Sequence, residues 1–139
     1  MTIVMMLATT LLAAPAMAQA PAFPDAMVLP GATPAPECGN LYGLAGRAFC
    51  VTAPLAGIDA LAEAYVAALQ SRGWIPADGA DNRVVFVRRR EGGGCDGLQM
   101  QAFYDTARPA TADSPGYLGF GPIPGDVCAG QPAAPASAQ

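Results

Sequence analysis

Apolar residues recur at the spacing of an α-helix over residues 57–72, and this is the clearest pattern in the chain. They fall on one side of the helix and the polar residues on the other, as expected for a helix that packs against a core. Gly73 stands where a left-handed residue ends a helix, which places Trp74 against Leu69 in a Schellman closure. We therefore predict an amphipathic helix whose end is covered by the tryptophan. The apolar positions are Ile58, Leu61, Ala62, Tyr65, Val66, Ala68 and Leu69.

Four further segments have the composition or the alternation of β-strands. Residues 47–53 carry β-branched and aromatic side chains, and residues 83–90 are rich in valine. Residues 98–105 alternate with a period of two, the pattern of a half-buried strand. Residues 117–120 form a shorter apolar segment before two prolines. Residues 75–82 contain Pro, Asp, Gly and Asn, which form turns, so we predict a loop there.

The order of these elements predicts an α+β domain. One amphipathic helix packed on a three- to four-stranded, mainly antiparallel sheet would bury the apolar side of the helix against one sheet face. The elements follow in the order β-α-β-β-β. The strands at 83–90 and 98–105 are expected to form a hairpin around the glycine-rich segment 91–97.

The first eighteen residues have the pattern of a secretory signal peptide. Residues 3–14 are apolar except for two threonines, and they lead through Pro15 to the small-residue triplet Ala16-Met17-Ala18. The alternative is an uncleaved membrane anchor, but the apolar segment is shorter than the roughly 20 residues that span a bilayer. We therefore expect export and cleavage near residue 18 or 20, with no stable membrane insertion of the mature chain.

Two segments rich in proline and alanine frame the predicted domain. Residues 19–37 contain five prolines, which lack the backbone donor and favour an extended linker. Residues 129–139 have no aromatic residue and are predicted to be a disordered tail. The folded domain is therefore predicted over residues 38–128. A domain of this size buries a small core and requires further stabilisation.

Four cysteines within residues 38–128 predict two disulfides. An even number of cysteines after an export signal is typical of disulfides, and the Cys-x2-Cys spacing of metal sites does not occur in the sequence. Three pairings are possible, and we expect the sequential one, Cys38 with Cys50 and Cys95 with Cys128, because each pair flanks a turn-rich stretch. The predicted compartment is the periplasm or the extracellular medium.

Charge and composition exclude several classes of function. The net charge is −4, and all seven basic residues are arginine, which disfavours binding to nucleic acid or to an anionic membrane surface. The sequence has no histidine, which removes the Ser-His-Asp and Cys-His catalytic arrangements and the usual zinc sites. We predict no catalytic residue, no metal and no cofactor.

Two short segments are candidates for contact with a partner protein. Arg88, Arg89 and Arg90 form the only basic run, and two of them, Arg88 and Arg90, would share one face of a strand. Tyr117 and Phe120 lie between glycines and would contribute aromatic contact area. The alternatives are a solvated strand end for the arginines and inward packing for the aromatic residues. We expect the contact surface to combine residues 117–120 with the turn at 92–97.

Elimination leaves a small exported, non-enzymatic interaction or inhibitor-like module of the cell envelope, with an unidentified protein partner. One alternative is an exported enzyme or accessory subunit that uses carboxylates on a glycan, which requires two acids about 5 to 9.5 Å apart in a cleft. A second alternative is a purely structural envelope protein, for which neither a pocket nor a large apolar patch is expected.

Overall fold

The structure, a computed structural model, describes residues 26–129. The predicted signal peptide, the first part of the predicted linker and the tail from residue 130 lie outside these residues and remain predictions. Within the described range, one α-helix lies on one face of a six-stranded antiparallel sheet with the strand order β1-β2-β6-β5-β4-β3. The elements are β1 (Thr33–Pro34), β2 (Phe49–Pro54), α1 (Ile58–Gln70), β3 (Ile75–Ala80), β4 (Arg83–Arg89), β5 (Cys95–Tyr104) and β6 (Pro115–Ile123).

The α+β class with two disulfides is confirmed, but the predicted number of strands was too small. The segment predicted as a loop is β3, an exposed edge strand with a register irregularity between Pro76 and Asp78. An edge strand needs backbone partners on one side only, so it tolerates turn-forming residues, and these residues led to the prediction of a loop. The sixth strand, β1, is two residues of the proline-rich segment that pair with β2.

The end of α1 has the predicted Schellman geometry. The Trp74 N–H donates to the Leu69 carbonyl and the Gly73 N–H donates to the Gln70 carbonyl, both at 3.1 Å. Gly73 has a φ of 87°, which a residue with a Cβ adopts only at a cost. Trp74 is 4% exposed and closes the main core. The tryptophan is therefore part of the core, as the sequence indicated.

The main core lies between α1 and the sheet. Side chains from one side of the helix meet alternate residues of the strands, and Tyr65 packs on Phe120 with ring centroids 4.8 Å apart. The Tyr65 hydroxyl donates to the Met27 carbonyl at 2.8 Å and accepts from the Leu29 N–H at 3.2 Å. Burial raises the pKa of the Tyr65 hydroxyl. Residues 26–32, which we call the strap, are thereby fixed to the helix side of the fold.

The opposite side of the sheet, which we call the open face, carries the two disulfides. Cys38 is bonded to Cys50 and Cys95 to Cys128, with Cα–Cα distances of 5.3 Å in both cases. This is the sequential pairing that we expected. The first disulfide belongs to a second, smaller core with Phe103. The two cores lie on opposite faces because successive residues of a strand point to opposite sides.

The close packing of α1 on β6 generates a stability prediction. A Cβ built on Gly116 would overlap the Ile58 side chain, whereas a Cβ on Gly121 would meet nothing within 4 Å. Gly116→Ala is therefore expected to lower the free energy of unfolding by about 1–3 kcal/mol. Gly121→Ala, in the same strand, is the matched control and should be close to neutral. Urea denaturation measures both, and equal midpoints for the two variants would contradict the packing described here.

Candidate binding surface on the open sheet face

The predicted contact residues Tyr117 and Phe120 lie on opposite faces of the sheet. Phe120 is 1% exposed and belongs to the main core beneath α1, so it is not available to a partner. The contact predicted for Phe120 is thus corrected by the alternation of strand residues. Tyr117 is half-buried on the open face and stacks on Phe103, with centroids 5.3 Å apart and an interplanar angle of 16°.

The two candidate arginines make intramolecular contacts. The Arg88 guanidinium lies 4.3 Å above the centre of the Trp74 ring. Arg90 donates to the Asp96 carboxylate at 2.6 Å and to the Gly125 carbonyl at 2.7 Å, which ties the β4–β5 turn to the chain after β6. Both contacts hold the fold together, and neither arginine lies near Tyr117.

The predicted combination of residues 117–120 with the turn at 92–97 is not formed. In the β5–β6 ladder Tyr117 pairs with Phe103, whereas Gly97 pairs with Ile123. Six residues of strand separate the two positions on β5, which corresponds to about 20 Å. The turn and Tyr117 therefore belong to different ends of the sheet.

Three aromatic side chains, Tyr42, Phe103 and Tyr117, line up on the open face; we call them the aromatic row. Tyr42 meets Phe103 edge-on, with centroids 5.8 Å apart and an interplanar angle of 80°. Such edge-to-face pairs are favourable beyond the area they bury. Tyr42 is 64% exposed, so its ring is oriented by Phe103 but open to solvent.

The loop at residues 38–48 presents Tyr42 in an unfavourable backbone conformation. Cys38, Asn40 and Tyr42 have φ values of 51°, 56° and 53°, in the left-handed region. For a residue with a Cβ this region costs roughly 1–2 kcal/mol. The same loop passes so close to Tyr117 that a Cβ on Gly39 would lie 2.7 Å from its ring. The loop is thus held in one conformation by its disulfide and by the rings beneath it.

Tyr42 separates two clefts. The first, about 520 Å³, lies at the end of the sheet and reaches the helix side, since Ile58 and Asp59 of α1 line it together with Asp81 and Asn82; we call it the acidic cleft. The second, about 380 Å³, is lined by Arg47 and by the glycines of β6, and we call it the basic cleft. Tyr42, Phe103 and Gln101 line both, so the two clefts are continuous around the tyrosine. Their volumes lie within the range of about 300–1,000 Å³ typical of small-molecule sites.

The basic cleft is deep because glycines form its floor. Gly119 and Gly121 occupy the positions of β6 that point toward the open face, and a side chain there would fill the cleft. On the neighbouring strand the Gln99 amide nitrogen donates to the Gln101 amide oxygen at 3.2 Å, which orients both amides. The surface therefore combines a flat ring with planar polar groups.

Asp126 lies next to the second disulfide, and among the described residues it is the one carboxylate whose pKa is lowered. Asp126 accepts hydrogen bonds from the Cys95 N–H at 2.8 Å and the Cys128 N–H at 2.9 Å, and these bonds hold the pKa of its carboxyl below the usual value. Its carboxylate also lies beside both sulfur atoms. Because the two sulfurs are bonded to each other, this cluster is a structural clamp and not a metal centre.

Comparison with known proteins adds no assignment, since no family model, no curated protein and no solved structure matches the chain. Within residues 26–129, no helix has the length and apolar content that would let it cross a membrane. The interpretation of the open face rests on its own geometry.

Sequence reasoning missed Tyr42, the most exposed large side chain of this surface. The signal available was the segment Gly39-Asn40-Leu41-Tyr42-Gly43, where an aromatic residue stands among turn formers between two cysteines. Glycine and asparagine tolerate the left-handed region, and tyrosine does not do so readily. A tyrosine at such a position is a candidate for contact with a ligand.

Replacing Tyr42 tests the conformation of the loop. Tyr42→Gly and Tyr42→Ala both remove the ring, but only glycine relieves the left-handed backbone. We expect the glycine variant to be more stable than the alanine variant by about 1 kcal/mol. Urea denaturation of the two variants measures the difference. An alanine variant as stable as the glycine variant would show that the backbone at residue 42 is not held at positive φ.

The lowered pKa of Asp126 predicts a pH dependence of stability. Since this pKa lies below the usual 3.8, the carboxylate stabilises the fold above that value, and the contribution is lost as the pH falls through the lowered pKa. Asp126→Asn should therefore lower the free energy of unfolding at about pH 6. At about pH 2.5 the free energy of unfolding of the variant should approach that of the native protein. Denaturation in urea at both pH values measures this. Asp113→Asn, at an exposed carboxylate before β6, is the control. The idea fails if the Asp126→Asn deficit is the same at both pH values.

Proposed function

We propose that this chain is a small exported binding module that holds a partner molecule on the open face, across Tyr42, without chemically altering it. The observation that carries the proposal is the presentation of Tyr42: an exposed ring, on a left-handed backbone, fixed edge-on to Phe103 between two clefts. Unfavourable backbone conformations persist where the surrounding structure enforces them, and they concentrate at functional sites.

An exposed tyrosine in this position contributes little to folding. Its ring buries a minor part of its surface, and its backbone conformation raises the free energy of the folded state. Tyrosine is enriched in the contact surfaces of proteins, since it offers a large apolar area together with a polar hydroxyl. Binding of a partner therefore accounts for the loop better than stability does.

The disulfides and the amino-terminal pattern support the exported location in this proposal. Disulfides persist in oxidising compartments, and this chain has two without a free cysteine among its described residues. Residues 1–18 supply the predicted leader. Together they support a periplasmic or extracellular binding module.

The second candidate function is an enzyme or accessory subunit that acts on a glycan. One observation favours it: Asp59, at the start of α1, and Asp81, in the β3–β4 turn, both line the acidic cleft. A general acid must stay protonated near neutral pH, which requires removal from water. Both carboxylates are exposed, so the arrangement supports binding better than hydrolysis.

A purely structural role does not account for the two clefts beside Tyr42.

Retention of envelope material tests the binding proposal. The immobilised mature chain is incubated with an extract of the envelope of its source organism, and retained protein and carbohydrate are quantified. Tyr42→Ala is expected to reduce retention by about tenfold, as for a contact residue at the centre of an interface. Val28→Ala, which alters an exposed apolar side chain of the strap, is the control and should retain the native amount. Equal retention by all three proteins would contradict the proposal.

Amino-terminal sequencing tests export. Protein recovered from the periplasm or the medium is expected to begin at Gln19 or Pro21, after one of the two small-residue triplets. Recovery of a chain that begins at Met1 from the cytosol, with reduced cysteines, would overturn the assignment of compartment. That result would leave the geometry of the open face unchanged.

A further inference from the structure

We propose that the partner held on the open face is a neutral oligosaccharide, with one sugar ring stacked on Tyr42 and its neighbours in the acidic and basic clefts. This inference rests on the proposed function and names the chemical class of the ligand. A pyranose ring has an apolar face of C–H groups and an edge of hydroxyl groups. The open face of the sheet offers a counterpart to each.

The apolar counterpart is the Tyr42 ring. It meets Phe103 edge-on and is more than half exposed, so the neighbouring ring orients it while most of its surface stays accessible. The face of an aromatic ring carries partial negative charge, which suits the weakly positive C–H groups of a sugar. Beneath it, Phe103 stacks on Tyr117, so the support of the Tyr42 ring is itself packed.

The polar counterparts surround that ring. Gln99 and Gln101 orient each other by a hydrogen bond, and the Asn82 amide is oriented because its nitrogen donates to the Ala102 carbonyl at 3.2 Å. Amides offer a donor and an acceptor in one plane, and carboxylates offer two acceptors. Hydroxyl groups on adjacent carbons both donate and accept, so such planar groups can pair with two of them at once.

An added peptide strand fits this surface less well. The acidic cleft lies where β5 extends beyond β4, and a peptide could add there only by pairing with the backbone of β5. That position is occupied, because the Ala102 N–H donates to the Asn82 carbonyl at 2.8 Å and the Ala102 carbonyl accepts from the Asn82 side chain. The backbone of β5 at Ala102 is therefore not available to an added strand.

The charges around Tyr42 select a neutral ligand. Asp59 and Asp81 line one cleft and Arg47 lines the other, so two carboxylates face one cation. The whole chain carries a net charge of −4. An anionic sugar would meet like charge in the acidic cleft, which costs binding energy. We therefore expect polyuronates and nucleic acids to bind this surface more weakly than neutral sugars.

Titration of the full mature chain with defined oligosaccharides tests the inference. The probes are glucose and N-acetylglucosamine as monomers and as β-1,4-linked dimers and trimers, with trigalacturonate as the anionic comparison and a hexaproline peptide as the competing aromatic-stacking ligand. Calorimetry supplies the dissociation constants. We expect one neutral trimer to bind with a dissociation constant below about 1 mM and its monomer to bind about tenfold more weakly.

Variants separate this inference from the proposed function. Tyr42→Ala is expected to weaken trimer binding by about tenfold, whereas Val28→Ala should leave it unchanged. The sugar assignment is overturned if no neutral trimer binds, or if trigalacturonate binds as tightly as the neutral trimer. It is also overturned if hexaproline binds more tightly, or if Tyr42→Ala leaves trimer binding unchanged. If the sugars fail while Tyr42→Ala still abolishes retention of envelope material, the binding function stands and its ligand is of another class.

Discussion

A single helix can cover only one face of a six-stranded sheet, and the rest of this protein is arranged around that constraint. α1 closes one face with a continuous apolar core. Among the described residues, the other face is covered by the loop bonded through Cys38–Cys50 and by the chain bonded through Cys95–Cys128. At Gly119 and Gly121 of β6 there is no side chain on this face, so the sheet surface remains accessible there. The two disulfide-bonded segments therefore take the place of a second layer of structure and leave the basic cleft open.

The energetics of the loop at residues 38–48 are consistent with this arrangement. Of the three residues in the left-handed region, Asn40 tolerates it, whereas Cys38 and Tyr42 cost on the order of 1–2 kcal/mol each. A disulfide that closes a loop of this length stabilises the folded state by about 3 kcal/mol. The two contributions are of the same order, so the covalent bond offsets a conformation that the chain would otherwise leave. The open position of Tyr42 thus depends on the oxidised state of Cys38 and Cys50.

Local patterns predicted a large part of the fold, and long-range pairing accounts for what they missed. The helix, its Schellman end at Gly73 and the β4–β5 hairpin depend on neighbouring residues, and the sequence was sufficient for them. Strand β3 was missed because its turn-forming residues are tolerated at a sheet edge. Tyr117 and Phe120 were predicted as one contact surface, but they are three residues apart, and strand alternation places such residues on opposite faces of the sheet. Tyr42 was missed because its orientation is set by Phe103, sixty-one residues away in the chain.

The strap determines where the preceding polypeptide approaches the fold. The Tyr65 hydroxyl holds Met27 and Leu29 against the main core, on the side of the sheet opposite the aromatic row. The strap and the aromatic row therefore lie on opposite faces of the sheet. A molecule bound across Tyr42 consequently does not compete with the strap for the same face of the sheet, and the two can be occupied at the same time without steric conflict.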